Sequence, residues 1–315
     1  MSKILYIVVP CYNEQEVLPE TSRRLLEKLT ILISQKKTDE ESRILFVDDG
    51  SRDSTWKLIC DLAASDMHFA GVKLSRNRGH QNALIAGLTV AKDRCDAAVS
   101  LDADLQDDID AIDAMVDNWK NGCDIVYGVR SARDTDTAFK RFTAHSFYRL
   151  MKLLGADIIN DHADYRLMSQ RALEALLQFD EVNLFLRGIV PQIGFKSSIV
   201  TYERRERFAG ESKYPLKKML MFAFDGITSF SVKPIRFVTA IGALIFLISL
   251  AALVVLLLQK LFGYTVQGWA TLMGSIWLLS GIQLLSLGII GEYIGKIYQE
   301  TKHRPRFIID EIKLK

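Results

Sequence analysis

With 315 residues the chain has room for about two domains. Its net charge of +2 says little about partners, and no basic block resembles a nucleic-acid arm, so no nucleic-acid partner is expected. Four cysteines at 11, 60, 95 and 123 show neither paired spacing nor nearby histidines, which argues against a disulfide frame or a zinc site and fits the reduced thiols of a cytoplasmic domain.

The first element is the apolar, β-branched run Ile4-Leu5-Tyr6-Ile7-Val8-Val9. It is too short for a signal-peptide core and reads as a strand covered on both faces. Val17, Leu18, Leu25, Leu29 and Leu32 then recur at helical spacing. Arg43 to Val47 is a second strand ending in Asp48-Asp49-Gly50-Ser51, and Asp53 or Ser54 can cap the helix carrying Trp56, Ile59 and Leu62. Ala70 to Leu74, Ala97 to Leu101 and Ile125 to Val129 read as three more strands, with a helix over Asn82 to Ala91. Alternating strands and helices predict an α/β fold with a doubly wound, mostly parallel sheet. In such sheets ligands gather beyond the carboxyl ends of the strands. Pro10 to Glu14, Asp48 to Ser51, Asp102 to Gln106 and Arg130 all fall at that edge.

The fourth strand runs into Asp102-Ala103-Asp104-Leu105-Gln106-Asp107-Asp108. Asp102 and Asp104, two apart where the chain leaves a strand, can turn toward one point and offer hard oxygen ligands to Mg²⁺ or Mn²⁺. The plainer alternative is a solvated acidic loop that caps the next helix. No Gly-x-Gly-x-x-Gly or Gly-x-x-x-x-Gly-Lys pattern is present, so a nucleotide would be gripped differently from the way dinucleotide enzymes and P-loop ATPases do it. Carboxylates and an amide at strand ends suit a base and ribose, and a cation with basic side chains suits the phosphates.

Phe139 to Gly155 reads as helical, followed by Asp161-His162-Ala163-Asp164-Tyr165-Arg166-Leu167 and a helix over Gln170 to Leu177. Asp164 and Arg166 could form a local surface ion pair, worth about 0–1 kcal/mol, or part of a site. A basic cluster at Arg204 to Lys213 leads into Tyr214 to Phe230, which reads as an amphipathic helix at a bilayer interface or as a linker helix packed on the catalytic domain. Between Arg236 and Lys260 lie 23 uncharged residues, and between Lys260 and Glu292 another 31. Each exceeds the roughly 20 residues needed to cross a bilayer core. Lys213, Lys217, Lys218, Lys233 and Arg236 precede the first stretch, Lys296, Lys302, Arg304 and Arg306 follow the second, and only Lys260 lies between. By the positive-inside rule both ends are cytoplasmic, as expected of an integral membrane protein.

With these pieces placed, the sequence resembles the family-2 glycosyltransferases that charge polyprenyl phosphates, including dolichol-phosphate mannose synthase and bactoprenol-phosphate glucosyltransferases. The matching motifs are Val9-Pro10-Cys11-Tyr12-Asn13-Glu14, Val47-Asp48-Asp49-Gly50-Ser51, Asp102-Ala103-Asp104-Leu105-Gln106, Asp164-Tyr165-Arg166-Leu167, Arg207-x-x-Gly210-Glu211-Ser212-Lys213 and Gly291-Glu292-Tyr293-Ile294-Gly295-Lys296. The resemblance implies a GT-A Rossmann-like catalytic domain over 1–210, juxtamembrane helices over 211–233, two transmembrane helices at about 236–258 and 268–290, and a cytoplasmic tail over 292–315. It implies that Pro10, Tyr12, Asn13, Glu14, Val47 and Asp49 line the nucleoside pocket. Asp102, Ala103, Asp104 and Gln106 would surround the metal and diphosphate, with Asp102, Asp104 and Gln106 nearest the ion. Arg130, Arg207 and Lys213 would hold phosphates. Asp164, with Arg166 beside it, would lie near the acceptor phosphate as the candidate base.

The reaction so implied moves a hexose, glucose from UDP-glucose first among them, onto undecaprenyl phosphate with inversion to a β-linked product. UDP-N-acetylglucosamine or UDP-galactose as donor, or a catalytically silent nucleotide-binding scaffold, are the alternatives, and a homo-oligomer is compatible with each. A phosphate monoester, whose second pKa lies near ~6, is already a nucleophile at neutral pH. Asp164 would then matter more for orienting the acceptor or countering Arg166 than for removing a proton.

Overall fold

The computed structural model describes residues 3–130, 162–181, 185–203, 233–262 and 268–314. The expected helix at Phe139 to Gly155, the cluster with Arg207 and Lys213, and the 214–230 helix lie outside the described residues. The chain divides into two compact units, one holding the sheet and the other the two long C-terminal helices.

The first unit is built on strands β1 (Leu5–Cys11), β2 (Arg43–Asp48), β3 (Phe69–Leu74), β4 (Ala97–Ser100), β5 (Ile125–Arg130), β6 (His162–Ser169), β7 (Ser197–Tyr202) and β8 (Ile309–Lys313). Their order across the sheet is β7-β5-β6-β4-β1-β2-β3-β8. The neighbours β3-β2-β1-β4 are all parallel. Every residue of β1 is buried, as its unbroken apolar run requires of a central strand. Helix α1 (Leu18–Ser34) turns Leu18, Leu25, Leu29 and Leu32 inward, and each buried leucine contributes about 1.5–3 kcal/mol. On α3 (His80–Ala91), Gly87 lets the helix approach the sheet so closely that a Cβ there would lie 2.4 Å from Val8 Cγ1 and 2.6 Å from Val47 Cγ2. Helices α2 (Thr55–Ser65), α4 (Ala111–Lys120), α5 (Gln170–Leu176) and α6 (Leu186–Gln192) complete the unit.

The sheet departs from the mostly parallel, doubly wound expectation at two strands. β6 runs antiparallel between β4 and β5, and β8 runs antiparallel on β3, so the sheet is mixed. β6 hides its strand character because Asp164 and Arg166 interrupt the apolar pattern, and Arg166 is nevertheless 2% exposed. β8 is short and charged, as edge strands are. It ties residues 304–314 into the sheet unit, and Trp56 Nε1 donates to Glu311 Oε2 at 3.2 Å.

The second unit contains α7 (Lys233–Leu261) and α8 (Trp269–Thr301), which touch each other. They cover the two expected spans, but α8 runs on past the expected end at 290. Among the described residues one stretch of 24, Leu278–Thr301, is long and apolar enough to cross a membrane. Leu278, Leu287, Ile294 and Ile297 are exposed along it, and Leu284 is 70% exposed.

Candidate active site

Because β1, β2 and β4 are parallel neighbours, the loops that follow them leave one edge of the sheet side by side. β6 reaches the same edge from the opposite direction. Its register pairs Ala97 with Ser169 and Ser100 with Arg166, so two residues further out Asp164 arrives beside the loop containing Asp102. Ser100 Oγ donates to the carbonyls of Asp164 and Arg166 and fastens the crossing.

The acidic loop is held in shape from three sides. Thr21 Oγ1 donates to the Ala103 carbonyl at 2.8 Å, the Gln106 N–H donates to Asp104 Oδ1 at 3.1 Å, and Leu105 adopts the left-handed conformation at φ 57° with its side chain buried. A non-glycine residue in that region costs of order 1 kcal/mol and persists where the surroundings over-determine it. Ala103 is itself buried, so it can serve a ligand through its backbone alone.

On the nucleoside side, Asn13 stands at φ 54°; its N–H donates to Ser51 Oγ at 2.9 Å and its Oδ1 accepts the Arg52 N–H at 2.9 Å. The Glu14 N–H donates to Thr55 Oγ1 at 2.9 Å. These bonds tie the loop after β1 to the loop after β2 and leave Tyr12 exposed. Pro10 and Val47 are buried within their strands, so they shape the floor of the crevice without presenting side chains to it. Asp49 is also buried, and its carboxylate accepts the Arg78 N–H at 2.7 Å and the Gly79 N–H at 2.8 Å. Burial raises its pKa, and the two amides oppose that shift. Its observed work is to fix the loop that launches α3. Gly50, at φ 70°, lies so close beneath that loop that a Cβ would stand 2.7 Å from the backbone at Arg76 and Asn77.

That loop delivers a residue absent from the sequence reading. His80 Nε2 lies 3.4 Å from Asp102 Oδ1 and 3.9 Å from Asp164 Oδ2, between the two carboxylates. His80 follows β3 at the same carboxyl edge, and that position could have marked it. Asp102 has its pKa pushed up to about 6 by burial; His80 opposes the shift, and Asp107, Asp164 and Asp104 reinforce it. Asp102 thus resists ionisation among neighbouring acids, a setting that a cation would relieve. Among the described residues no three His, Cys, Asp or Glu side chains form a complete ligand set. The donor set fits an ion such as Mg²⁺, which takes one or two carboxylates and completes its shell with water and substrate phosphate.

Asp164 is gripped from within and met from without. Arg166 Nη2 donates to its Oδ1, while Nη1 donates to the Leu186 carbonyl at 3.3 Å. Burial lowers the Arg166 pKa, and Asp164 opposes that shift. Arg187, on α6, approaches Asp164 Oδ2 at 3.8 Å with its side chain 35% exposed. No sequence signal marks Arg187, which is brought here only by the packing of α6 against β6.

Arg130 is engaged differently from the phosphate contact expected of it. Its Nη2 donates to Asp107 Oδ1 at 3.1 Å and its Nε to Tyr202 Oη at 3.3 Å, while Tyr202 Oη donates to the same Asp107 oxygen at 2.5 Å. Burial works against the Arg130 charge, but Asp107 and Tyr202 more than offset it and raise its pKa. The trio anchors the far end of the acidic loop to β5 and β7. Tyr165 Oη adds a bond to the Asp108 carbonyl at 2.9 Å.

Residues 6–177 match the model of glycosyl transferase family 2, and residues 233–297 match that of the GtrB C-terminal hairpin. The chain is 57% identical to the uncharacterized glycosyltransferase YkoT of Bacillus subtilis, covering 98% of this chain and 91% of that one. It is 40% identical to the bactoprenol glucosyl transferase of Shigella phage SfV, covering 98% and 99%. Among solved structures, glucosyl-3-phosphoglycerate synthase from Mycobacterium tuberculosis aligns with TM-score 0.46 at 16% identity, over 72% of this chain and 78% of that one. With the family model covering more than half of its residues and the two sequence relatives spanning nearly all of it, the chain belongs to glycosyl transferase family 2 and is a glycosyltransferase.

Proposed function

We propose that the enzyme transfers a hexose, glucose from UDP-glucose, to undecaprenyl phosphate at the cytoplasmic face of a membrane crossed by α7 and α8. The observation that carries this reading is the meeting of Asp102 and Asp164 through the antiparallel insertion of β6, which sets a carboxylate flanked by arginines beside the acidic loop. Likeness over nearly the whole chain to a bactoprenol glucosyl transferase supports the acceptor. The outward apolar face of α8 supports the membrane.

Asp102 and Asp104, with Gln106 nearby, would hold Mg²⁺ or Mn²⁺. Such an ion supplies charge stabilisation for a departing diphosphate. The chain's own residues do the rest. Tyr12, Asn13 and Glu14 border the nucleoside, the Asp107, Arg130 and Tyr202 trio keeps the acidic loop rigid, and Asp164 orients the acceptor. Arg207 and Lys213 complete the phosphate contacts. A phosphate oxygen of the acceptor forms the new bond to the sugar's anomeric carbon as the bond to the diphosphate breaks, and the electron pair leaves with UDP. With a dianionic acceptor no proton has to move, and a single in-line displacement inverts the configuration.

Purified protein offered a panel of nucleotide sugars with undecaprenyl phosphate tests the proposal. The expected product, identified by mass, is an acid-labile β-hexosyl phosphate formed fastest from UDP-glucose. An acid-stable glycoside, or equal glycosylation of undecaprenol, would overturn the acceptor. Faster turnover with UDP-N-acetylglucosamine or UDP-galactose would replace the donor.

A further inference from the structure

We propose that Arg187 is the residue that receives the acceptor's phosphate, and that Arg166 acts only through Asp164, as a positioning residue. This rests on the polyprenyl-phosphate reading above and assigns the anion contact within it. The sequence motif favours Arg166 for that contact, because it stands two residues from Asp164. The structure removes Arg166 from reach: it is 2% exposed, and its two terminal nitrogens are directed at Asp164 Oδ1 and the Leu186 carbonyl. A lipid phosphate could touch it only by displacing a buried ion pair.

Charge completes the assignment. The single negative charge of Asp164 is already met by Arg166 on the Oδ1 side. Arg187 brings a second positive charge toward Oδ2, within ion-pair range but beyond hydrogen-bond distance, and more than a third of its side chain is open to solvent. The group Arg166, Asp164 and Arg187 therefore carries one positive charge in excess, presented on its exposed side. A guanidinium suits this task, since its fork can bind two phosphate oxygens at once.

Position separates the two anions of the reaction. Asp102 marks the diphosphate side, His80 stands between Asp102 and Asp164, and Arg187 approaches the same Asp164 oxygen that faces His80. An acceptor held by Arg187 is thus one side chain removed from the leaving group, as an in-line attack from the opposite face requires. The plainer account is a surface ion pair with no substrate contact, and kinetics distinguish the two.

The experiment uses the full chain in detergent or bilayers with undecaprenyl phosphate, comparing wild type, Arg187→Ala, Arg187→Lys and Arg166→Ala. Loss of a charge-assisted phosphate contact predicts an acceptor KM raised roughly 10- to 100-fold in Arg187→Ala. UDP affinity, measured by calorimetry, stays within about twofold, because such a contact serves one anion only, and Arg187→Lys recovers part of the loss. Arg166→Ala lowers kcat and thermal stability while changing acceptor KM by less than about threefold, as expected where transition-state geometry alone is lost. An unchanged acceptor KM in Arg187→Ala overturns the inference, as does UDP affinity falling in parallel with acceptor affinity, which would place Arg187 on the donor. Should Arg187→Ala fail to fold, Arg187→Gln and Arg187→Lys give the same comparison. Wild-type protein that turns over with other acceptors but never with polyprenyl phosphate overturns the function, and this assignment with it.

Discussion

In the parallel half of the sheet, β3-β2-β1-β4, the site loops leave the carboxyl ends of their strands and are tied to neighbours by bonds between side chains and backbone amides, as the Asp49 carboxylate is to the Arg78 and Gly79 N–H groups. In the other half Asp164 reaches the same edge near the start of an antiparallel strand and is held by side-chain charge. The first arrangement yields a rigid floor rimmed by carboxylates. The second yields a carboxylate whose orientation depends on one buried arginine. A fold that must bind one nucleotide and admit a second, separate anion gains from this division, because the acceptor side can change its charge without disturbing the floor.

The largest expected effect lies where the halves meet. Asp104→Asn should cut turnover by about 10²- to 10³-fold, the scale typical of removing one electrostatic stabiliser, while the unfolding midpoint stays near wild type. EDTA should abolish activity and Mg²⁺ or Mn²⁺ restore it; full activity in EDTA would remove the metal from the site.

Breaking only the charged half, Arg166→Ala leaves Asp164, 11% exposed, without its inner partner. Losing one member of a buried pair costs about 3–5 kcal/mol. Denaturant unfolding reads this directly, and a cost under about 1 kcal/mol would mean the pair is solvated in solution. Breaking only the parallel half, Gly87→Ala drives a methyl into Val8 and Val47. Overpacking of this kind costs about 1–3 kcal/mol. UDP binding should persist below the lowered melting temperature, since the change spares the edge loops.

A smaller effect sharpens the comparison. If the acceptor is a phosphate dianion, Asp164→Asn keeps the orienting shape and loses less than about tenfold in kcat, below the usual 10²-fold or more of a true general base. A loss beyond about 10³-fold would make Asp164 the proton acceptor. The smallest effect tests the edge of the parallel half: Trp56→Phe deletes the bond to Glu311 and should cost about 0.5–1.5 kcal/mol. No change at all in the unfolding midpoint would detach β8 from the stability of the sheet.

Sequence alone determined the parallel half. Continuous apolar runs at Leu5, Ile44, Phe69 and Ala97 specify buried strands wherever they sit, and the acids that follow them must then share an edge. The positions of these loops at that edge were legible for that reason, while the burial of Pro10 and Val47 and the bonds of Asp49 to Arg78 and Gly79 were not. Only the tertiary structure decided the other half. Whether Arg166 faces solvent or core depends on β6 entering between β4 and β5, a pairing of residues 66 apart in sequence, and nothing local to Asp164-Tyr165-Arg166 encodes it. Arg187 was likewise silent, because its meaning is its distance from Asp164. The pairing of Arg130 with Asp107 and Tyr202 is likewise visible only in the fold. Hydrophobic patterning is a property of neighbours along the chain, whereas the partner of a charge is a property of the packed fold, where burial alone separates a positioning arginine from a binding one.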